Sequence, residues 1–192
     1  MAVAVLGGTF DPPHNGHVAL ALGAIAHFGC ARLLVRIVAA PGHRGVSAPA
    51  ADRLALAELA FAAIRGAEVA LDPYARTVDS LEALGLDDPI FLIGADELAS
   101  FPTWKDPERV LELAHLGVAI RPGVARDRLD AVIAELSRPD RVEFFEIEQL
   151  PISSSEIRDG IARGEPIDDL VPAPVAAEIE RRGLYRRSTR LH

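Results

Sequence analysis

The chain has 192 residues, the length of one domain, of which 49% are hydrophobic and 25% charged. That composition supplies a core and excludes global disorder, while the formal net charge of −8 argues against a non-specific nucleic-acid binder, which carries a basic surplus. The single cysteine, Cys30, excludes an internal disulfide framework and fits a reducing cytosol.

Taken in chain order, "MAVAVLGGTF" lacks a basic stretch and its apolar run stops at Gly7, so no signal peptide is expected. "VALALGAIAHFGC" is too short and too interrupted, by His27 and two glycines, for a membrane span. A soluble, cytoplasmic protein is the expectation. The runs "AVAVL" (2–6), "RLLVRIVAA" (32–40), "AEVAL" (67–71), "PIFLIG" (89–94), "LGVAIR" (116–121) and "RVEFFEIE" (141–148) read as strands, most of them apolar enough to be covered on both faces.

Helix patterns fall between them over 16–29, 49–66, 77–85, 106–116 and 126–137. In the second, Leu54, Leu56, Leu59, Ala60 and Ala63 are expected to form the apolar face. After about residue 150 only helix and turn remain, in "ISSSEIRDGIARG" and "PAPVAAEIERRG", each ending in glycine. The alternation predicts an α/β fold, a Rossmann-like doubly wound parallel sheet with a small C-terminal helical subdomain. One domain is expected over 1–192, with the α/β core over 1–150 and the helical piece over 151–192. The basic "RRGLYRRSTRLH" is expected to be a solvated tail.

"GGTFDPPHNGH" (7–17) stands where the first strand turns into the first helix. In an open parallel sheet that turn faces the ligand crevice. Gly7 and Gly8 would let backbone amides approach an anion, and the helix opened by Gly16 and His17 would favour negative charge. The spacing is neither that of a dinucleotide fingerprint nor that of a Walker loop. Three readings stay open from these residues alone: His14 and His17 as donors to a phosphate, a rigid turn at Asp11-Pro12-Pro13, or a metal site lacking an obvious third ligand. Further on, Ser153 and Glu156 have capping-box spacing, and Gly94 and Asp96 follow a buried strand at the same sheet edge. Asp96 and Thr77 are each also placed to be a helix N-cap.

"GGTFDPPHNGH" resembles the G-x-F-x-P-x-H-x-G-H signature of the nucleotidylyltransferase superfamily, and "ISSSEIR" (152–158) resembles its second signature, I-S-S-T-x-[IV]-R. "FLIGADELASFPTWKDPERVLELAHLGVAIRPG" (91–123), "TVDSLEAL" and "LVPAPVAAEIERRGLY" are similar to segments of bacterial nicotinate mononucleotide adenylyltransferases, so the resemblance spans essentially the whole chain. It implies transfer of AMP from ATP to nicotinate mononucleotide, with Mg²⁺ carried on the ATP phosphates and no dedicated metal ligands. His14, His17 and Arg158 would be catalytic.

On the ATP side the resemblance implies Gly8, Thr9, Phe10, Gly16, Arg44, Gly94, Asp96, Ser153, Ser154 and Ser155. On the acceptor side it implies Thr77 near the carboxylate, Trp104 against the pyridine ring, and Lys105, while Arg76 either pairs with the acceptor's carboxylate or phosphate or is a surface loop arginine. Two departures fall on the acceptor side: "APGHRG" replaces a longer loop ending in Pro-Pro-His-Lys, and Ala75-Arg76-Thr77 replaces Ser-Tyr-Thr. Arg121, in "RPG", either contacts ligand or only positions the sheet edge. The alternatives are adenylyl transfer to another phosphate acceptor, such as nicotinamide mononucleotide or phosphopantetheine, and a non-catalytic ATP-sensing module. No nucleic-acid or membrane partner is expected, and the sequence specifies neither monomer nor homodimer.

Overall fold

The computed structural model describes residues 2–42, 46–123, 126–148 and 151–186. Among them six strands alternate with helices: β1 (Val3–Gly8), α1 (Asn15–Phe28), β2 (Arg32–Val38), α2 (Ala50–Phe61), β3 (Ala67–Asp72), α3 (Thr77–Leu84), β4 (Ile90–Gly94), α4 (Ala95–Ser100), α5 (Pro107–Leu113), β5 (His115–Ile120), α6 (Asp127–Ala134) and β6 (Val142–Glu146), followed by α7 (Ser154–Arg163) and α8 (Ala173–Arg182). All strand pairings are parallel, in the order β3-β2-β1-β4-β5-β6. The order reverses between β1 and β4, as in a doubly wound, Rossmann-like sheet, and the crevice for ligands opens there, at the carboxyl ends of the strands.

The period-2 alternation of the strands sorts their side chains into two apolar layers. Ala4, Leu6, Leu33, Val35, Ile37, Leu92, Ala119 and Phe145 point to one layer, where α1, α2, α7 and α8 add Ala21, Leu56, Ile157 and Val175. Val5, Leu34, Phe91, Ile93, Leu116, Val118 and Ile120 point to the other, covered by α3 to α6 through Val78, Leu98, Val110 and Leu129. Covering on both faces explains why β1, β2, β4 and β5 read as apolar runs. β3 and β6 lie at the edges and are only partly covered, and Leu71 on β3 is 39% exposed.

Several boundaries move. β1 runs on through Gly7 and Gly8, so both glycines end the strand and the turn starts at Thr9. α5 stops at Leu113 because His115 already pairs with Ile90 in β5. A short helix, α4, and a single 3-10 turn over Phe101–Thr103 fill the stretch after β4, where no element was expected. α2 ends at Phe61, and its buried face is Arg53, Leu56, Ala57, Ala60 and Phe61. The expected face is therefore rotated: Leu54 and Leu59 are half-buried and Ala63 is exposed. The reason is Arg53, which is fully buried with its guanidinium engaged by backbone carbonyls.

The C-terminal segment also departs from expectation as far as it is described, to Arg186. Arg182 pairs with Asp52 and Glu178, Leu184 packs against the α1–α2 apolar layer, and Tyr185 reaches a buried carboxylate. It docks instead of trailing in solvent, because its apolar residues have a core to cover and its arginines have acids on α2 and α8.

Candidate active site

The β1–α1 turn is held in one conformation by its own neighbours. Phe10 sits at φ 49, in the left-handed region, with its ring buried against Phe61 and beside His17. Such backbone strain is tolerated when the surroundings over-determine it. A Cβ on Gly8 would lie 3.1 Å from the Phe10 ring, a tight contact that glycine avoids. Asp11, 3% exposed, accepts hydrogen bonds from the Ser47 and Ala48 amides at 2.6 and 3.1 Å. Tyr185 donates a third, from its hydroxyl to Oδ1 at 2.8 Å. Arg53 donates to the carbonyls of Thr9, Val38 and Ala39 at 2.8 Å and of Ala48 at 3.1 Å, which ties the turn to the end of β2. Burial pulls the Arg53 guanidinium below its ordinary range, and the nearby Asp11 charge opposes that shift.

His14 is the N-cap residue of α1 and His17 its third residue, so the pair crosses the helix start as expected. Their rings stack with centroids 3.7 Å apart. The His14 amide donates to His17 Nδ1 at 3.2 Å. An acceptor Nδ1 on a neutral ring leaves the proton on Nε2, so this contact assigns the tautomer that aims an N–H away from the backbone. Burial pulls His14 down to about 4, and burial followed by the His14 charge pulls His17 well below its ordinary value. Both rings are therefore neutral hydrogen-bond donors near pH 7 in the unliganded protein. His14 Nδ1 is buried and has no partner, the kind of orphan that a ligand or water satisfies. Gly16 permits the stack: a Cβ there would lie 3.0 Å from His14 Nδ1.

The second signature folds onto this turn. Ser153 caps α7, its hydroxyl accepting from the Glu156 amide at 3.2 Å while Glu156 accepts from Ser153, so the capping box forms. Ser154 Oγ donates to the Pro12 carbonyl at 2.8 Å, and Arg158 Nη1 donates to the Asp11 carbonyl at 2.7 Å. Arg158 Nη2 reaches Ser155 Oγ at 3.2 Å. Two segments about 140 residues apart thus form one structure, with the free N–H groups of α1 and α7 flanking the turn. Arg44 lies outside the described residues. Ser47 and Ala48, in the described stretch that starts at residue 46, donate to Asp11.

Gly94 and Asp96 start α4 at the same sheet edge. The N-cap there is Gly94, whose amide donates to Glu97 Oε2 at 3.0 Å, and exposed Asp96 lies inside the first turn, not at the cap. Likewise Arg76 occupies the N-cap of α3 and Thr77 is its first helical residue, because the backbone is already helical at Thr77. Trp104 is half-buried, edge-on to Phe91 and Phe101. Lys105 is exposed and bonded to Asp79 on α3 at 2.6 Å. The hydrogen bonds therefore tie Ser154 and Arg158 of α7 to the turn that leads into His14 and His17, while Arg76 and Thr77 begin α3 and Lys105, next to Trp104, bonds Asp79 on that helix. Asp11, Arg53 and Tyr185, none of them anticipated, hold the first group in place. No group of three or more His, Cys, Asp or Glu side chains placed to hold a metal ion occurs among the described residues, and no described helix is long and apolar enough to cross a membrane.

Residues 5–160 match the family described as Cytidylyltransferase-like. The chain belongs to that family. Within it, the chain is 37% identical to a probable nicotinate-nucleotide adenylyltransferase of Bordetella avium, over 96% of this chain and 98% of that protein. It is also 37% identical to a protein of the same description from Thermomicrobium roseum, over 95% and 90%. Among solved structures, the nicotinic acid mononucleotide adenylyltransferase of Plasmodium falciparum complexed with NaAD has the same fold, with a TM-score of 0.77 at 16% identity over 96% of this chain and 97% of that one. The same enzyme complexed with APC gives 0.76 at 17% identity.

Proposed function

We propose that this member of the family is a nicotinate-nucleotide adenylyltransferase, which transfers AMP from ATP to nicotinate mononucleotide and releases pyrophosphate in NAD biosynthesis. The observation that carries the reading is the junction of the two signature segments, Arg158 on the Asp11 carbonyl and Ser154 on the Pro12 carbonyl, beside a paired His14 and His17. The names of full-length relatives at 37% identity supply the acceptor.

An oxygen of the acceptor phosphate attacks the α-phosphorus of ATP. The bond from that phosphorus to the oxygen bridging to the β-phosphate breaks, and its electron pair leaves with pyrophosphate. The attacking oxygen is already anionic, so no base has to remove a proton. The work of the protein is to align two anions and to stabilise the charge that develops on the α-phosphoryl oxygens. His17 Nε2–H and the His14 ring are the donors assigned to that charge, with the Thr9 and Phe10 amides beside them and Gly8 and Gly16 leaving room. Arg158, Arg44 and Ser153 to Ser155 hold the β- and γ-phosphates, and Gly94 and Asp96 contact the nucleotide ribose. Trp104 stacks on the pyridine ring, and Thr77, Arg76 and Lys105 serve the acceptor's anionic groups. Mg²⁺, if carried by the nucleotide, would supply charge neutralisation on the phosphates, with no residue of this chain assigned to hold it. The whole chain, 1–192, acts as one catalytic unit, with nicotinate mononucleotide and ATP as its partners.

Steady-state pyrophosphate release with nicotinate mononucleotide, nicotinamide mononucleotide and phosphopantetheine side by side tests this. The expected result is the highest kcat/KM with nicotinate mononucleotide. A preference for either other acceptor would change the substrate, and ATP binding without pyrophosphate from any acceptor would replace the enzyme by a sensor.

A further inference from the structure

The turn after α8 lies against the β1–α1 turn through Tyr185. Tyr185 takes φ 64, an unusual value for a non-glycine residue, and in that conformation its hydroxyl reaches the buried carboxylate of Asp11. Burial and the Asp11 charge both push the Tyr185 hydroxyl above its ordinary range, so it stays a donor. Asp11 is the residue that also holds Ser47 and Ala48. The next side chain, Arg186, then lines an open cavity of about 460 Å³ together with Ser47, Arg158, Asp159, Ala162 and Tyr185. Arg158 spends one arm on the Asp11 carbonyl and another on Ser155. Arg186 has a loose, exposed pairing with Glu180 at 3.8 Å, which leaves its fork available at little cost. Asp159 is the opposing charge on this wall, so two guanidinium groups and one carboxylate face the cavity.

We propose that Arg186 is a further cation for the diphosphate end of the nucleotide and for the departing pyrophosphate, presented to the cavity by Tyr185 acting as a positioning residue through Asp11. The C-terminal turn is on this view a wall of the leaving-group pocket. The inference rests on the adenylyl-transfer reading for its biological ligand, but the pocket itself is readable with pyrophosphate alone.

Calorimetric titration of magnesium-free pyrophosphate into the full-length protein tests it. Arg186→Ala is expected to weaken binding about tenfold, the scale of one lost charge-assisted contact at a partly exposed site. Tyr185→Phe is expected to weaken it about threefold on the same scale, and the double variant to be no weaker than Arg186→Ala, since one residue acts through the other. Arg181→Ala, which removes an equal charge from the exposed Glu178 pair on α8, is expected to bind as the parent does. Binding by Arg186→Ala within twofold of the parent, or no pyrophosphate binding by the parent, overturns the pocket. Additive losses in the double variant overturn the positioning role of Tyr185. Arg186-dependent pyrophosphate binding in a protein that turns over no acceptor would sink the proposed reaction and leave the pocket standing. Normal turnover with an indifferent Arg186 would do the reverse.

Discussion

The turn between β1 and α1 and the region around the start of α3, the two sides of the proposed site, are held by opposite means. The turn is cross-linked to distant sequence: Ser154, Arg158 and Tyr185 reach it across 142, 147 and 174 residues, and most of the groups they meet are buried. Around α3, the Lys105–Asp79 pair is exposed, Arg76 is exposed at the N-cap, and Trp104 rests edge-on against two phenylalanines. A rigid, over-determined frame suits the side proposed to align phosphates, because misplacing a reacting group by an ångström is costly in rate. A lightly held side suits acceptor choice, which a few side chains can retune without unfolding anything.

That contrast breaks most visibly at two aspartates. Asp11→Ala would leave the Ser47 and Ala48 amides and the Tyr185 hydroxyl without an acceptor, and Arg53 without its nearby charge. A loss of about 3–5 kcal/mol is expected, read as a large drop in the thermal or urea midpoint. Asp79→Ala removes only an exposed pairing and is expected to shift stability by less than about 1 kcal/mol. Equal midpoints for the two variants would erase the distinction.

Next in size is His17→Ala. Removing the donor should lower kcat by two to three orders of magnitude, about 3–4 kcal/mol of transition-state stabilisation, with the circular dichroism and midpoint little changed. Unchanged turnover in a folded variant removes His17 from the mechanism. Trp104→Ala, by contrast, is expected to raise the acceptor KM about tenfold and leave the ATP KM in place.

The histidines also set a pH dependence for the rigid side. His14 has a folded-state value of about 4 against an ordinary 6.5. Below 6.5 the unfolded chain takes up the proton first, so stability is full above that pH and declines as pH falls towards 4. For His14 alone the loss amounts to roughly 3 kcal/mol, and His17 adds to it in the same direction. Denaturation midpoints measured between pH 7 and 5 should fall for the parent and fall less steeply for His14→Asn. Parallel slopes would mean that the buried neutral imidazole is not the source.

The two regions also differ in how far the sequence disclosed them. Strand alternation was legible from the residues themselves, and both signature segments from their resemblance to a family, because each is a contiguous pattern. Asp11, Arg53 and Tyr185 were not, since what defines them is burial and a partner far along the chain. Arg53 did leave a trace: it stands three, four and seven residues before Leu56, Ala57 and Ala60, on the same helical stripe. Arginine is ordinarily a surface residue, and what buries this one is four backbone carbonyls from other parts of the fold. Tyr185 was masked by the arginines around it, which made a docked turn resemble a solvated tail.

The smallest effect belongs to Lys105, and it decides what that residue is for. Its ammonium bonds Asp79 at 2.6 Å with more than half of the lysine side chain in solvent, so Lys105→Ala should change stability by under about 0.5 kcal/mol. If the lysine serves the acceptor, the same variant raises the acceptor KM a few-fold, and added salt narrows the gap by screening the parent. Asp79→Ala then acts in the opposite direction, freeing the ammonium and lowering that KM. If the pair only pins α3 beside the loop that carries Trp104, both variants loosen the same contact and shift the KM together. The sign of the Asp79→Ala effect therefore separates a ligand contact from a strut, on the one side of the site where both are built from exposed side chains.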